Sequence, residues 1–143
     1  MKLTSFSDYT LRVLMFLAIH PDRLVTVPEI AAAYGISENH LVKVVHRLSC
    51  AGTVEAVRGK GGGLRLARAP ADIRLGQVVR ASEGTAPIVE CMSEEPACRI
   101  APACRLAPIL RRAFDALFAT LDEYTLADLV RTPRKLEALL AGA

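Results

Sequence analysis

The stretch "TVPEIAAAYGISENHLVKVVHRLSCAG" (26–52), joined directly to "TVEAVRGKGGGLRLARAP" (53–70), leaves this chain few folds to choose from. Thr26 or Val27 leads into a helix with Pro28 in its first turn, Gly35 breaks it, and Ser37 caps a second helix. Two helices joined by a turn containing glycine form the helix-turn-helix pattern. Small Ala31 suits a close helix crossing, and Leu41 and Val44 anchor the second helix. At about 100° per residue, Leu41, Val44, Val45 and Leu48 share one arc of that helix. Asn39, His40, Lys43, His46 and Arg47 share the other. Those side chains are of the kinds that read base edges and phosphates, although an ordinary solvated helix face carries similar ones.

The adjoining segment tips the balance. Residues 53–57 and 64–66 are short β-prone runs joined by the basic tip "RGKGGG", which predicts a hairpin. Glycines serve turn geometry in any hairpin, but this tip carries two cations and no acid. Its backbone can approach a phosphate or a minor groove, with charge from Arg58, Lys60 and Arg65. A helix-turn-helix trailed by a basic hairpin is a winged helix. The expected fold class is therefore mainly α: a winged helix-turn-helix domain with a β-hairpin wing, plus a long dimerisation helix. The expected DNA contacts are Ser37, Asn39, His40, Lys43 and Arg47 from the reading helix, and Arg58, Lys60, Gly61, Gly62 and Arg65 from the wing. The net charge of +3 alone would not argue for nucleic acid. Its distribution does, because six basic residues and only two acids fall within 37–68.

The flanks complete the plan. "SDYTLRVLMFLAIHPD" predicts a helix with Ser7 as N-cap, Asp8 in its first turn, an apolar stripe through Leu11, Leu14, Leu17 and Ala18, and Pro21 as its stop. Residues 71–84 predict a turn and a short amphipathic helix with Leu75, Val78 and Val79 facing inward. Leu106, Leu110, Ala113, Leu117, Leu121 and Tyr124 alternate at threes and fours, a seam of about three heptads. Little domain remains for it to pack on, and helix-turn-helix readers work as two-fold dimers on palindromic sites, so it predicts a homodimer. Two short capped helices end the chain, the second with Thr132 as N-cap and Pro133 at its first position. The organisation expected is 1–84 for DNA binding, 85–105 for a cysteine loop, and 106–143 for the dimerisation helix and C-terminal helices.

The apolar share of 52% supports a core, yet there is no run of eighteen apolar residues. "MKLTSFSDYT" lacks the charged and greasy regions of a signal peptide. A cytoplasmic protein with no membrane contact is expected, in which Cys50, Cys91, Cys98 and Cys104 stay reduced. His20, His40 and His46 form no catalytic constellation and no P-loop is present, so no enzyme activity is expected. Three of the cysteines crowd into "CMSEEPACRIAPAC" as C-x6-C-x5-C. Structural zinc favours tighter paired knuckles, whereas iron–sulfur clusters take thiolates on wider loops and accept a non-cysteine ligand. On spacing alone, cluster, redox sensor and zinc all remain open. Cys50, beside aliphatic residues, is expected to be a small buried side chain.

Taken together, "LTSFSDYTLRVLMFLA", "YGISENHLVKVVHRLSCAG", "VRGKGGGLRLA", "IRLGQVVR", "PACRL" and "LDEYTLADLV" carry a resemblance. The chain resembles, nearly end to end, the winged-helix iron–sulfur regulator family that includes the nitric-oxide-sensing NsrR type and the IscR type. "NHLVKVV" and "YTLADLV" are similar to the NsrR type, while Ala107 stands where IscR-type members carry a histidine ligand. The resemblance implies a homodimeric repressor on an inverted-repeat operator in double-stranded DNA. It implies a cluster held by Cys91, Cys98 and Cys104, with Asp8 of the partner subunit as fourth ligand; Glu90, Glu94 and the histidines are weaker candidates. A [4Fe–4S] cluster is favoured over [2Fe–2S]. Nitrosylation by nitric oxide would lower operator affinity and free genes for nitric oxide detoxification. An iron- or redox-responsive regulator of the same family, or a cluster protein of electron transfer, is the alternative.

Overall fold

The computed structural model describes residues 2–84, 89–93 and 98–142. Its elements run α1 (Ser5–Ile19), α2 (Val27–Tyr34), α3 (Glu38–Cys50), β1 (Val54–Val57), β2 (Gly63–Leu66), α4 (Leu75–Glu83), α5 (Leu106–Asp122), α6 (Leu126–Leu129) and α7 (Pro133–Ala141). Single 3₁₀ turns lie at Pro70–Asp72 and Glu90–Met92. The fold is mainly α, a winged helix-turn-helix.

The turn signals act as their chemistry dictates. Thr26 and Glu29 form a reciprocal cap at α2: the Thr26 N–H donates to Glu29 Oε2 at 2.7 Å, and the Glu29 N–H to Thr26 Oγ1 at 3.4 Å. Gly35 closes α2 in the left-handed region at φ 62°, which turns the chain into α3. Leu41, Val44, Val45 and Leu48 of α3 are buried, as their arc requires. They meet Val13, Leu14 and Leu17 of α1 and Ile30 of α2 in one core. The wing is an antiparallel pair with Val54 opposite Leu66 and Val57 opposite Gly63. Val25, ahead of α2, exchanges backbone bonds with Leu64 at 3.0 and 2.7 Å and roots the wing in the head.

Three features depart from the sequence pattern. First, the N-cap of α1 is Thr4, whose hydroxyl accepts from the Ser7 N–H at 3.2 Å. Ser7 lies inside the helix and fully buried, its hydroxyl engaged by Glu83 and Ser82 of α4. Second, α5 ends at Asp122, so Tyr124 falls outside the helical seam. Third, the chain after α5 returns to the head. Leu126 is fully buried in the core formed by α1, α2 and α3, and its N–H donates to Ile73 O at 2.9 Å. Residues 126–142 therefore pack with the first unit.

Two helices rest their N-termini on carboxylates from elsewhere. At α1, one Glu83 oxygen accepts from the Thr4 N–H at 2.8 Å, from Thr4 Oγ1 at 3.0 Å and from the Ser7 hydroxyl. Burial opposes the charge on Glu83, but the Ser7 and Thr4 bonds outweigh it and hold the carboxyl below its ordinary range. At α4, no side chain of its own cap bonds the first turn. The carboxylate of Asp122, from α5, lies against Gly76 there and pairs with Arg80, whose bond holds it below the usual aspartate range. Negative charge at a helix N-terminus is favourable. Gly76 is required by packing: a Cβ there would stand 2.8 Å from Phe118 O and against Asp122. α5 thus bears on α4, and α4 on α1. Among the described residues no helix is long and apolar enough to cross a membrane.

Candidate nucleic-acid interface and cysteine loop

On α3, Ser37, Asn39, His40, Lys43, His46 and Arg47 are all solvent-exposed. They do not form one uniform face. Asn39, Lys43 and His46 project from its centre, opposite the buried arc. His40 and Arg47 flank it on the side of α1 and α4. The His40 ring lies 6.1 Å from that of Tyr9. Arg47 donates to Ala81 O of α4 at 3.3 Å, with its guanidinium 6.0 Å from the Phe6 ring. Arg47 therefore braces the reading helix against α4. Val42, 54% exposed, stands on the outer face as an apolar side chain able to meet a thymine methyl. Its signal was in the sequence, as an apolar residue off the buried arc. Cys50 corrects an expectation: it is exposed, because α3 ends there and Ala51 and Gly52 turn the chain away, and its Sγ lies 3.8 Å from His46 Nε2.

The wing tip owes its shape to glycine. Gly61 has φ 76°, and Gly62 has no room for a Cβ, which would stand 2.9 Å from Gly59 O and closer still to Val57 O. The exposed Arg58 and Lys60 make no ion pair among the described residues. Arg65 differs: its Nε donates across the strands to Glu55 at 2.8 Å, and that bond holds the Glu55 carboxyl below its ordinary range. The net positive charge of the tip thus comes from Arg58 and Lys60.

The cysteine loop lies between α4 and α5. Cys91 falls in the turn Glu90–Met92, while Glu94 lies outside the described residues. Cys98 and Cys104 are free thiols, half-buried. The loop between them folds tightly: the Ala101 N–H donates to Cys98 O at 3.1 Å and the Cys104 N–H to Ile100 O at 2.9 Å. The Leu106 N–H donates to Cys104 Sγ at 3.4 Å. A backbone N–H aimed at sulfur is the kind of outer partner a metal-bound thiolate takes, so Cys104 is suited to ligation. Among the described residues no three histidine, cysteine or acidic side chains of one chain converge on a metal site.

Asp8 is half-exposed on α1. Arg12, one turn on, holds it by two bonds of 3.1 and 3.0 Å. The Arg12 guanidinium also stands 5.5 Å from the Tyr34 ring at the end of α2. Burial pushes the Tyr34 phenol up, with Arg12 pulling the other way. The apolar seam of α5 divides. Leu110, Leu117 and Leu121 of α5 are half-buried, while Leu106 and Ile109 are 50% and 62% exposed and continue an apolar face outward.

A reading helix, a basic wing and an appended helix that supports them define a DNA-binding transcriptional regulator rather than an enzyme. The model of the Rrf2 family, described as an iron-dependent transcriptional regulator, matches residues 3–132. The HTH-type transcriptional regulator NsrR of Bacillus subtilis (strain 168) is 48% identical over 142 residues, covering 98% of this chain and 97% of that protein. NsrR of Bacillus licheniformis is 43% identical over 143 residues, covering 99% of this chain and all of that protein. Among solved structures, T. potens IscR superposes with a TM-score of 0.74 at 28% identity, covering 92% of this chain and 87% of that one. The B. subtilis cysteine regulator CymR gives 0.72 at 31%, covering 92% and 97%. The chain belongs to the Rrf2 family.

Proposed function

We propose that this protein is a homodimeric repressor that grips an inverted-repeat operator while it carries an iron–sulfur cluster, and lets go on exposure to nitric oxide. Ser37, Asn39, His40, Lys43 and Arg47 meet base edges and phosphates in the major groove. Arg58, Lys60, Gly61, Gly62 and Arg65 track the neighbouring minor groove. The two-fold sets the reading helices about 34 Å apart, or a multiple of that, in the cytoplasm where the operator lies. Cys91, Cys98 and Cys104 offer three thiolates and Asp8 of the partner subunit offers a carboxylate; such a set can hold either [4Fe–4S] or [2Fe–2S], and the resemblance to the NsrR type favours [4Fe–4S]. When bound, the cluster supplies the iron on which nitric oxide acts.

The observation that carries this reading is the placement of Asp8. It stands one turn from Arg12, which reaches Tyr34 of α2, and beside Tyr9, which faces His40 of α3. A carboxylate drawn across the dimer leaves Arg12 without its partner; a carboxylate returned is taken up again by Arg12. Either change acts on both helices of the reading head through side chains already in contact. By linkage, whatever favours the operator-bound geometry favours the same hold on Asp8. The nitric oxide signal rests on the resemblance to the NsrR type, which the identity to two regulators of that name supports.

The test is anaerobic: absorbance and native mass spectrometry during nitric oxide titration, beside an operator gel shift. Cluster signal and operator binding should fall together. Tight specific binding retained by Cys91→Ala, Cys98→Ala and Cys104→Ala alike would sink the switch. The iron-dependent description of the family and the likeness to IscR favour a second reading, an iron- or redox-tuned regulator. A cluster indifferent to nitric oxide but lost under iron chelation would select it.

A further inference from the structure

A cavity of about 190 Å³ lies between α1, α3 and α4. Phe6, Val44, Leu48, Ile73 and Val78 line its body. Close-packed interiors keep few voids larger than a water molecule. This one is larger than that, opens to solvent at its rim, and has largely apolar walls. Its rim is of the opposite character. Arg47, Arg68 and Arg74 all border it, and each donates to a backbone carbonyl: Ala81 O at 3.3 Å, Asp72 O at 2.6 Å and Asp122 O at 3.3 Å. Among the described residues none of the three forms an ion pair.

We propose that this cavity binds a small organic monocarboxylate, its apolar body lodged against Phe6, Val44 and Leu48 and its carboxylate taken by the guanidinium groups of the rim. Guanidinium matches a carboxylate in planar, two-bond geometry that a carbonyl cannot offer. The space suits a short-chain acid, below the size of a drug-like ligand. A carboxylate engaging Arg47 competes with Ala81 O for it. The occupant therefore sits on the brace between reading helix and α4.

The test uses the full-length protein with hexanoate as probe and hexanamide as its uncharged isostere, monitored by calorimetry and amide NMR shifts. Hexanoate should bind saturably, with shifts confined to α1, α3 and α4, at least tenfold tighter than hexanamide. Arg47→Gln with Arg68→Gln and Arg74→Gln should erase that preference while the far-UV spectrum is unchanged. Val78→Phe, which fills the space, should abolish binding of both. Absence of saturable hexanoate binding to the wild-type chain, or equal binding of acid and amide, overturns the assignment. Undiminished binding by a folded Val78→Phe variant overturns it as well. None of these outcomes depends on the operator or the cluster, so failure here is separable from failure of the regulatory reading.

Discussion

Glu83→Ala tests the joint between α4 and α1. One carboxylate oxygen there accepts the Thr4 N–H, the Thr4 hydroxyl and the hydroxyl of the fully buried Ser7. A bond to a charged group contributes about 1.5–3 kcal/mol, but these three share one acceptor and do not add. Thr4 Oγ1 also keeps the Ser7 N–H, and the Ser7 hydroxyl keeps Ser82. The expected loss is therefore about 2–3 kcal/mol. At roughly 2–4 °C per kcal/mol for a chain of this size, the melting midpoint should fall by about 5–10 °C, read by circular dichroism at fixed protein concentration. Glu83→Gln keeps an acceptor without the charge and should lose about half as much. The pH dependence has a definite sign. The folded-state carboxyl lies below its ordinary value of 4.5, so its contribution is complete above that value and is lost as pH falls through the lowered one. The gap between wild type and Glu83→Gln should be full at neutral pH and close in acid. A midpoint unchanged by Glu83→Ala, or a gap that widens in acid, would refute the reasoning.

Other perturbations probe other joints. Leu126→Ala should cost about 2–5 kcal/mol in urea unfolding, because the side chain is fully buried among the head's own helices. Gly76→Ala should destabilise by about 1–3 kcal/mol, with the loss read as a lower urea midpoint, since the new methyl meets Phe118 O and Asp122. Lys60→Ala should weaken binding on all DNA sequences and flatten the salt slope by about one unit per subunit; an unchanged slope removes the wing from the contact surface. Ile109→Glu, at an exposed apolar position of α5, should convert the proposed dimer to monomer in sedimentation with the helical spectrum intact.

Much of the head was legible because its signals are local. Thr26, Pro28, Gly35 and the glycine-rich basic tip act on neighbours a few residues away, and α2, α3 and the wing keep closely to the pattern. The cap of α1 was not legible, since Ser7 and Thr4 are equally good caps by type. The choice is made by Glu83, 76 residues further on, which draws Ser7 into the interior. Arg47 illustrates a second limit. Helical periodicity places it on the polar arc, but the edge of that arc faces α4, and only the packing of α4 supplies the Ala81 carbonyl that holds it. The return of Leu126 to the core was hidden for the same reason: the seam of α5 gives no sign of where the chain goes once that helix ends. Of the cysteine loop, spacing left cluster, redox sensor and zinc open, while the bond from the Leu106 N–H to Cys104 Sγ needed the folded turn.

The burial of Leu126 has a consequence for how the protein is made. Chains emerge from the ribosome N-terminus first, and a reading helix and wing near the front could in principle engage DNA before the rest exists. This head lacks a fully buried core residue until Leu126 has been synthesised, by which point α5 and the cysteine loop are already present. A nascent fragment, or the product of a premature stop ahead of that codon, therefore has no finished head with which to occupy an operator. Truncating alleles should behave as simple losses of the gene, rather than as repressors deaf to their signal.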